Sequence, residues 1–301
     1  MTVKHLSLED RITGCLMAGA LGDAIGSHFE ARPTTTNIVV PHEVQVSDDT
    51  QLTIATCESI IETGSVKPES IAGHFLRWFR ERRISGIGAS TLKSLRELDA
   101  GGHWALVGAT GEYSAGNGAA MRIAPLAFVL DPDLDKDRQI IRDVCRITHR
   151  NDEAYIGALA MVRAIRYVNA GHPIDIRLLS LLVDWIPDSR VRDRLIVVRD
   201  TSLSLGEFAA IFPSTGYVVD SVPLAILAAC RSNGLLPTIQ EIVQCGGDTD
   251  TVASMYGQIY GAAYGTTVVP KESVGRIDVV SLICDVATAF SSTCSQVRRE
   301  S

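Results

Sequence analysis

Two ladders of small residues constrain this chain more than any other feature. Gly14, Ala18, Gly19, Gly22 and Gly26 form one, and Ala253, Gly257, Gly261 and Gly265 form the other. Steps of three and four residues fall on one face of an α-helix. Glycine inside a helix costs about 0.5–1 kcal/mol against alanine, so its repeated use implies a need. Bare faces let two backbones approach more closely than bulky side chains allow. The expectation is helices in close backbone contact at the centre of the protein.

The rest of the chain repeats the helical period. Residues 8–30 hold Ile12, Leu16, Gly19, Ala20 and Ala24 at helical spacing. Segments 51–63, 69–83, 89–99, 138–148, 153–170, 175–186, 190–198, 221–232, 238–244, 252–264 and 277–290 read the same way. Asp10, Ser90 and Asp152 are the expected N-caps. Strand-type alternation is scarce, and Thr36–Val40 with Glu43–Val46 suggests only a short extended connection. No solenoid repeat or low-complexity linker divides the chain. With 301 residues, 46% of them hydrophobic, it can bury a large core. The prediction is an all-α fold, one domain over residues 1–301 with a frayed tail at 294–301.

Composition excludes several function classes. A formal charge of −7 argues against non-specific nucleic-acid binding, which needs a basic surface to displace counterions. The seven cysteines show no CxxC pair and no regular spacing, which suits reduced thiols in the cytoplasm. No basic and apolar leader opens the sequence, and the longest apolar run, Val222–Cys230, is far too short to span a bilayer. A cytoplasmic protein without a membrane partner is expected.

Two acidic clusters carry the chemistry. Ser47, Asp48, Asp49 and Thr50 make the first, and Asp248, Thr249, Asp250 and Thr251 the second. Each precedes a small-residue or apolar helical run. Asp and Thr in that place often only cap a helix. Capping and metal binding are compatible, because free N–H groups and the dipole at a helix start hold carboxylates in place. Carboxylate and hydroxyl oxygens without adjacent His or Cys suit a hard cation such as Mg²⁺ or Mn²⁺. Two such clusters brought together could hold two ions.

Further constellations accompany them. Asp23 and Glu30 are seven residues apart, on one helix face, with Glu30 just before the helix-ending Pro33. Gly86 and Gly88 precede a helix expected near Ser90, and Ser114, Gly116, Asn117 and Gly118 precede another. Such turns let backbone N–H groups approach a phosphate or ribose, or are ordinary turns. His149 follows a helix end, which favours its protonated form. Tyr217 and Asp220 flank a helix start, where a Tyr can stack on a base or simply pack. Arg122 is read as an ion-pair or carbonyl-binding residue.

The segments GCLMAGALGDAIGSHFE, SDDT, GNGAAMR, TH and GGDTDTVAxxxGxxxGAxxG occur in this order. Together they resemble the ADP-ribosylglycohydrolases, the group related to dinitrogenase reductase-activating glycohydrolase and to the animal ADP-ribosylarginine and ADP-ribosylserine hydrolases. The resemblance runs from about residue 11 to 265. It implies an all-α fold with a binuclear Mg²⁺ or Mn²⁺ centre in a central cleft. By motif position the metal ligands would be Glu30, Ser47, Asp48, Asp49, Asp248, Asp250 and Thr251, with Glu30 and Asp49 catalytic. Gly86, Gly88, Ser114, Gly116, Asn117, Gly118, His149 and Tyr217 match substrate-binding positions. The implied partner is an ADP-ribosylated protein or ADP-ribose conjugate. Ser47 at the head of SDDT is more similar to the arginine-directed members, with ADP-ribose O-linked to serine or acetate as the alternative. An ADP-ribose-binding protein without activity and a two-metal phosphoesterase stand further off. A cleft complete within one chain implies a monomer.

Overall fold

A computed structural model describes residues 6–30, 32, 38 and 43–300. Its helices are α1 (Leu8–Phe29), α2 (Asp48–Thr63), α3 (Pro68–Arg80), α4 (Ala89–Asp99), α5 (Asp135–Arg146), α6 (Asp152–Asn169), α7 (Ile176–Trp185), α8 (Arg190–Asp200), α9 (Leu205–Ile211), α10 (Val218–Arg231), α11 (Leu235–Cys245), α12 (Thr249–Tyr264), α13 (Lys271–Val274) and α14 (Val280–Glu300). Among the described residues no strand forms, only isolated bridges: Val44 with Ile277, Ala109 with His149, and Gly116 with Tyr217. The architecture is all-α, as the periodicity predicts. Among the described residues no helix is long and apolar enough to cross a membrane.

The two ladders meet face to face. A Cβ added to Gly22 would overlap the Ala253 carbonyl, one on Gly257 the Ala18 carbonyl, and one on Gly261 the Gly14 carbonyl. The pairing runs in opposite senses, so α1 and α12 are antiparallel. Thr249 Oγ1 donates to the Gly26 carbonyl at 2.8 Å, pinning the last turns of α1 to the first turn of α12. At the far end buried Arg11 donates to the carbonyls of Val168 (3.0 Å), Ala262 (2.9 Å) and Ala263 (3.2 Å). It thereby ties together carbonyls from the last turns of α6 and α12. Helices α6 and α10 are buried along most of their length and pack against α12.

Several boundaries differ from expectation for local reasons. Ser7, not Asp10, caps α1, accepting from the Asp10 N–H at 3.0 Å. Asp10 instead accepts from Thr266 Oγ1 at 2.6 Å, tying α1 to the turn after α12. Gly88 rather than Ser90 precedes α4, and Asn151 rather than Asp152 caps α6 through the Ala154 N–H (3.2 Å). Over the segment expected to fray, α14 runs to Glu300, and Ile283, Val286, Ala287, Phe290 and Cys294 bury one face of it. Of the expected extended pair, Val44 makes its bridge to Ile277, while Thr36–Val40 lies outside the described residues apart from Ile38.

Candidate functional site

Each acidic cluster opens a helix. At α2 the capping is done by Ser47, whose Oγ accepts from the Asp49 N–H (3.3 Å) and donates to Asp49 Oδ2 (3.2 Å). Asp48 and Asp49 are thereby left to the cleft. Asp23, buried in the middle of α1, accepts the Ser47 N–H with both oxygens at 3.0 Å and the Thr50 N–H at 3.0 Å. It fixes the start of α2 against α1. At α12, Asp248 holds the N-cap position without a side-chain capping bond. Its Oδ2 accepts from Asn117 Nδ2 at 2.7 Å.

The two clusters join. Thr251 Oγ1 donates to Asp49 Oδ2 at 3.2 Å across 202 residues of sequence. Asp23, Asp49 and Asp250 each offer an oxygen within 4.8 Å of the others, and so do Glu30, Asp248 and Asp250. Asp250 belongs to both triads. Asp49 Oδ1 is buried and has no hydrogen-bond partner among the described residues, an arrangement that is costly unless a cation takes the oxygen.

Burial is the first cause of the raised pKa values here, and at Glu30, Asp48, Asp49 and Asp250 mutual repulsion is the second. Burial and then Asp23 push the Asp48 carboxyl up to about 8. Burial and then Asp248 push Asp250 up to about 9. Asp49 is raised well above the usual range by burial, then by Asp23 and Asp250. Burial raises Asp23 against its hydrogen-bond donors. Glu30, exposed as the C-cap of α1, is raised by partial desolvation, then by Asp248 and Asp23. Oxygen-only donors, an orphaned carboxylate oxygen and this unrelieved repulsion all fit divalent cations.

The acids floor a cleft of ≈490 Å³. Its walls include Gly86 and Gly88 from the turn before α4, Gly116–Gly118, and His149. Gly86 has φ 73° and lies against Ser47, where a Cβ would come 3.3 Å from the serine Cβ. The Gly116–Gly118 segment opens a 3₁₀ turn, not the expected helix. Its glycines make room for His149: a Cβ would stand 2.9 Å from Nε2 at Gly116 and 2.8 Å from Cε1 at Gly118. His149 is buried and neutral rather than protonated, because burial and then Arg122 drive its pKa down to about 3. The α5 end that was to favour the charge lies three residues earlier, at Arg146.

Of the expected site residues, Glu30, Asp48, Asp49, Gly86, Gly88, Gly116, Asn117, Gly118, His149, Asp248, Asp250 and Thr251 line this one cleft. Three expected residues do not. Ser47 lies behind it as the α2 cap. Ser114 is buried in its own turn, donating to the Gly111 carbonyl at 2.6 Å. Tyr217 accepts from Arg190 at 3.3 Å and lines an adjoining hollow that shares Gly116 and Gly216 with the cleft. Asp220 is structural, paired with Arg194 at 2.9 Å. Arg122 binds a carbonyl, that of Gly118, as one of its two readings had it. Asp23 was not expected as a ligand, although its spacing from Glu30 was the signal. Ser214–Gly216 and Gly247 were also missed. Gly247 has φ 75°, and a Cβ there would overlap the Ser214 carbonyl, which accepts the Asp248 N–H at 3.0 Å.

A family model described as ADP-ribosylglycohydrolase matches residues 4–299. ADP-ribosylarginine hydrolase Tri1 of Pseudomonas putida (strain GB-1) is 27% identical over 290 residues, covering 89% of this chain and 74% of that protein. ADP-ribosylhydrolase ARH3 of Homo sapiens is 26% identical over 325 residues, covering 87% of each. A solved structure described as an ADP-ribosylglycohydrolase-related protein complex superposes with a TM-score of 0.77 at 26% identity, covering 95% of this chain and 99% of that one.

Proposed function

The chain belongs to the ADP-ribosylglycohydrolase family, and on that premise we propose that it frees ADP-ribose from a protein modified on arginine by hydrolysing the C1″ glycosidic bond. The observation that carries this reading is the joined acidic cluster at the floor of the cleft, with Asp49 Oδ1 buried and unpartnered. Glu30, Ser47, Asp48, Asp49, Asp248, Asp250 and Thr251 would hold two divalent ions, Mg²⁺ or Mn²⁺, with Asp23 added by its place in the first triad. Such ions supply positive charge against the carboxylates and polarise the oxygens of a bound sugar.

The chain's own residues divide the remaining work. Glu30 is the exposed carboxyl of the cluster, and partial desolvation, then Asp248 and Asp23, raise its pKa, which favours a role in proton exchange. It takes a proton as the water oxygen joins C1″. The bond from C1″ to the acceptor nitrogen breaks through an oxocarbenium-like state, and that nitrogen leaves with the proton. Asp49 keeps the metal side of the site in register through Ser47 and Thr251. Gly86, Gly88, Gly116 and Gly118 let backbone approach the diphosphate and ribose, and Asn117 holds Asp248.

The arginine acceptor rests on the SDDT segment at 47–50. Relatives named for arginine and relatives named only as ADP-ribosylhydrolases stand at nearly equal identity, 27% and 26%, so similarity favours neither linkage. The test is release of intact ADP-ribose from arginine and serine conjugates with Mg²⁺, Mn²⁺ or chelator. Metal-dependent release from the arginine conjugate is expected. Release from the serine conjugate alone would move the acceptor. AMP or phosphate release from ADP-ribose would point to a phosphoesterase. ADP-ribose binding without any release would overturn the catalytic reading.

A further inference from the structure

We infer that Thr148 and Arg122 are positioning residues that lock the His149 ring as a neutral donor, with its one N–H on Nε2 and aimed at substrate in the cleft. The inference rests on the reading above that this cleft holds the substrate.

The argument is a proton count. Arg122 Nη2 lies 2.8 Å from Thr148 Oγ1. A guanidinium carries donors only, so the threonine oxygen accepts there. The same Oγ1 lies 2.8 Å from His149 Nδ1. Thr148 is fully buried, and among the described residues its hydroxyl has these two partners. The hydroxyl hydrogen therefore has one acceptor in reach, Nδ1. Were the hydrogen on Nδ1 instead, a buried hydroxyl would be left with nothing to donate to, which is costly. Nδ1 therefore accepts, and the hydrogen of a neutral ring sits on Nε2. Burial and the Arg122 charge keep the ring from taking a second proton.

The free edge borders the site, whose lining includes His149. Nε2 has no hydrogen-bond partner among the described residues, and the backbone it faces is that of Gly116 and Gly118. Arg122 also donates to the Gly118 carbonyl, so one guanidinium sets both the ring and the turn opposite it. An Nε2 that already bears hydrogen cannot take a proton from water. His149 thus donates to a ribose hydroxyl or phosphate oxygen of the substrate, and the general base is left to a carboxylate.

The test is spectroscopic. The full chain, labelled with ¹⁵N in its histidine rings, is examined by long-range ¹H–¹⁵N correlation at pH 7, with His149→Gln used to assign the signals. The expected result is a protonated Nε2 and an unprotonated Nδ1 at His149. Thr148→Val should shift the ring toward a tautomer mixture and raise the substrate KM roughly three- to tenfold, with a smaller change in kcat. Thr148→Ser should restore both. An Nδ1–H ring or an imidazolium in the wild-type protein would overturn the lock, as would an unchanged His149 signal in Thr148→Val. Should Thr148→Val fail to fold, the wild-type spectrum still decides. Absence of hydrolysis on every conjugate, with the Nε2–H tautomer present, would strike the proposed function and leave the lock standing.

Discussion

Asp250 is the residue on which the two acidic triads turn. Asp250→Asn keeps the shape and removes the charge from both. Turnover is expected to fall at least about 100-fold, since a ligand counts for more than the outer partners whose loss costs 10–100-fold. Stability should move the other way in chelator at pH 8. A buried carboxyl held at about 9 resists the ionisation that the unfolded chain makes freely, so removing it should raise the melting temperature of the metal-free protein. A lower melting temperature would show that Asp250 is held by something other than repelling neighbours. At Gly118 the expected effect is on binding and stability. Gly118→Ala would press on His149 Cε1 (2.8 Å) and Thr91 Oγ1 (3.3 Å), and because the buried ring is held in place the substrate KM should rise together with a fall in the melting temperature. The acidic ligands were legible because carboxylates and hydroxyls cluster in sequence as they do in space. Asp23 was not, since its partners Ser47 and Thr50 come from another helix. Tyr217 was misplaced because its backbone bridges to Gly116 beside the cleft while its hydroxyl turns to Arg190.

At the scale of elements, the close contact between α1 and α12 is what brings the two clusters together. Gly22→Ala would place a methyl on the Ala253 carbonyl, which is backbone and cannot rotate away. Separation of the helices should cost about 1–3 kcal/mol or more, and Mg²⁺ affinity should fall with it, because Asp23 and Asp250 ride on the two helices. Gly73 in α3 is the control: nothing lies within 4 Å of an added Cβ. Gly73→Ala should stabilise by about 0.4–1 kcal/mol and leave metal affinity alone. Equal losses from both would mean that the ladder has no special role. The ladder and the long helices were readable because period and small-residue spacing are local properties. Helix α9 was overlooked although Ser204 and Glu207 form a capping box, as its seven residues hold too few turns to show a period. The 3₁₀ turns at 117–119 and 124–128 were hidden likewise, since buried residues throughout Ala124–Phe128 leave no polar face to mark a period.

For the whole molecule, the acidic cleft makes stability a function of both pH and metal. Asp48 and Asp250 have folded-state pKa values of about 8 and about 9, against about 3.9 for an unfolded aspartate. Between these limits the folded chain holds protons that the unfolded chain has released. Stability must then fall as pH rises. In chelator the melting temperature should therefore decline from pH 5 toward pH 9, the reverse of the trend for a protein whose aspartates are paired with cations. Divalent ions bind the ionised carboxylates in competition with protons. The stabilisation they give should grow with pH over the same window, reaching about 2.7 kcal/mol where the ion stands at 100 times its Kd. Melting curves at several pH values, with and without Mg²⁺ or Mn²⁺, read both trends together. A chelated protein whose melting temperature stayed flat across that window would mean that Asp48 and Asp250 ionise in the fold as freely as in water. The cleft would then not be the strained, cation-requiring site described above.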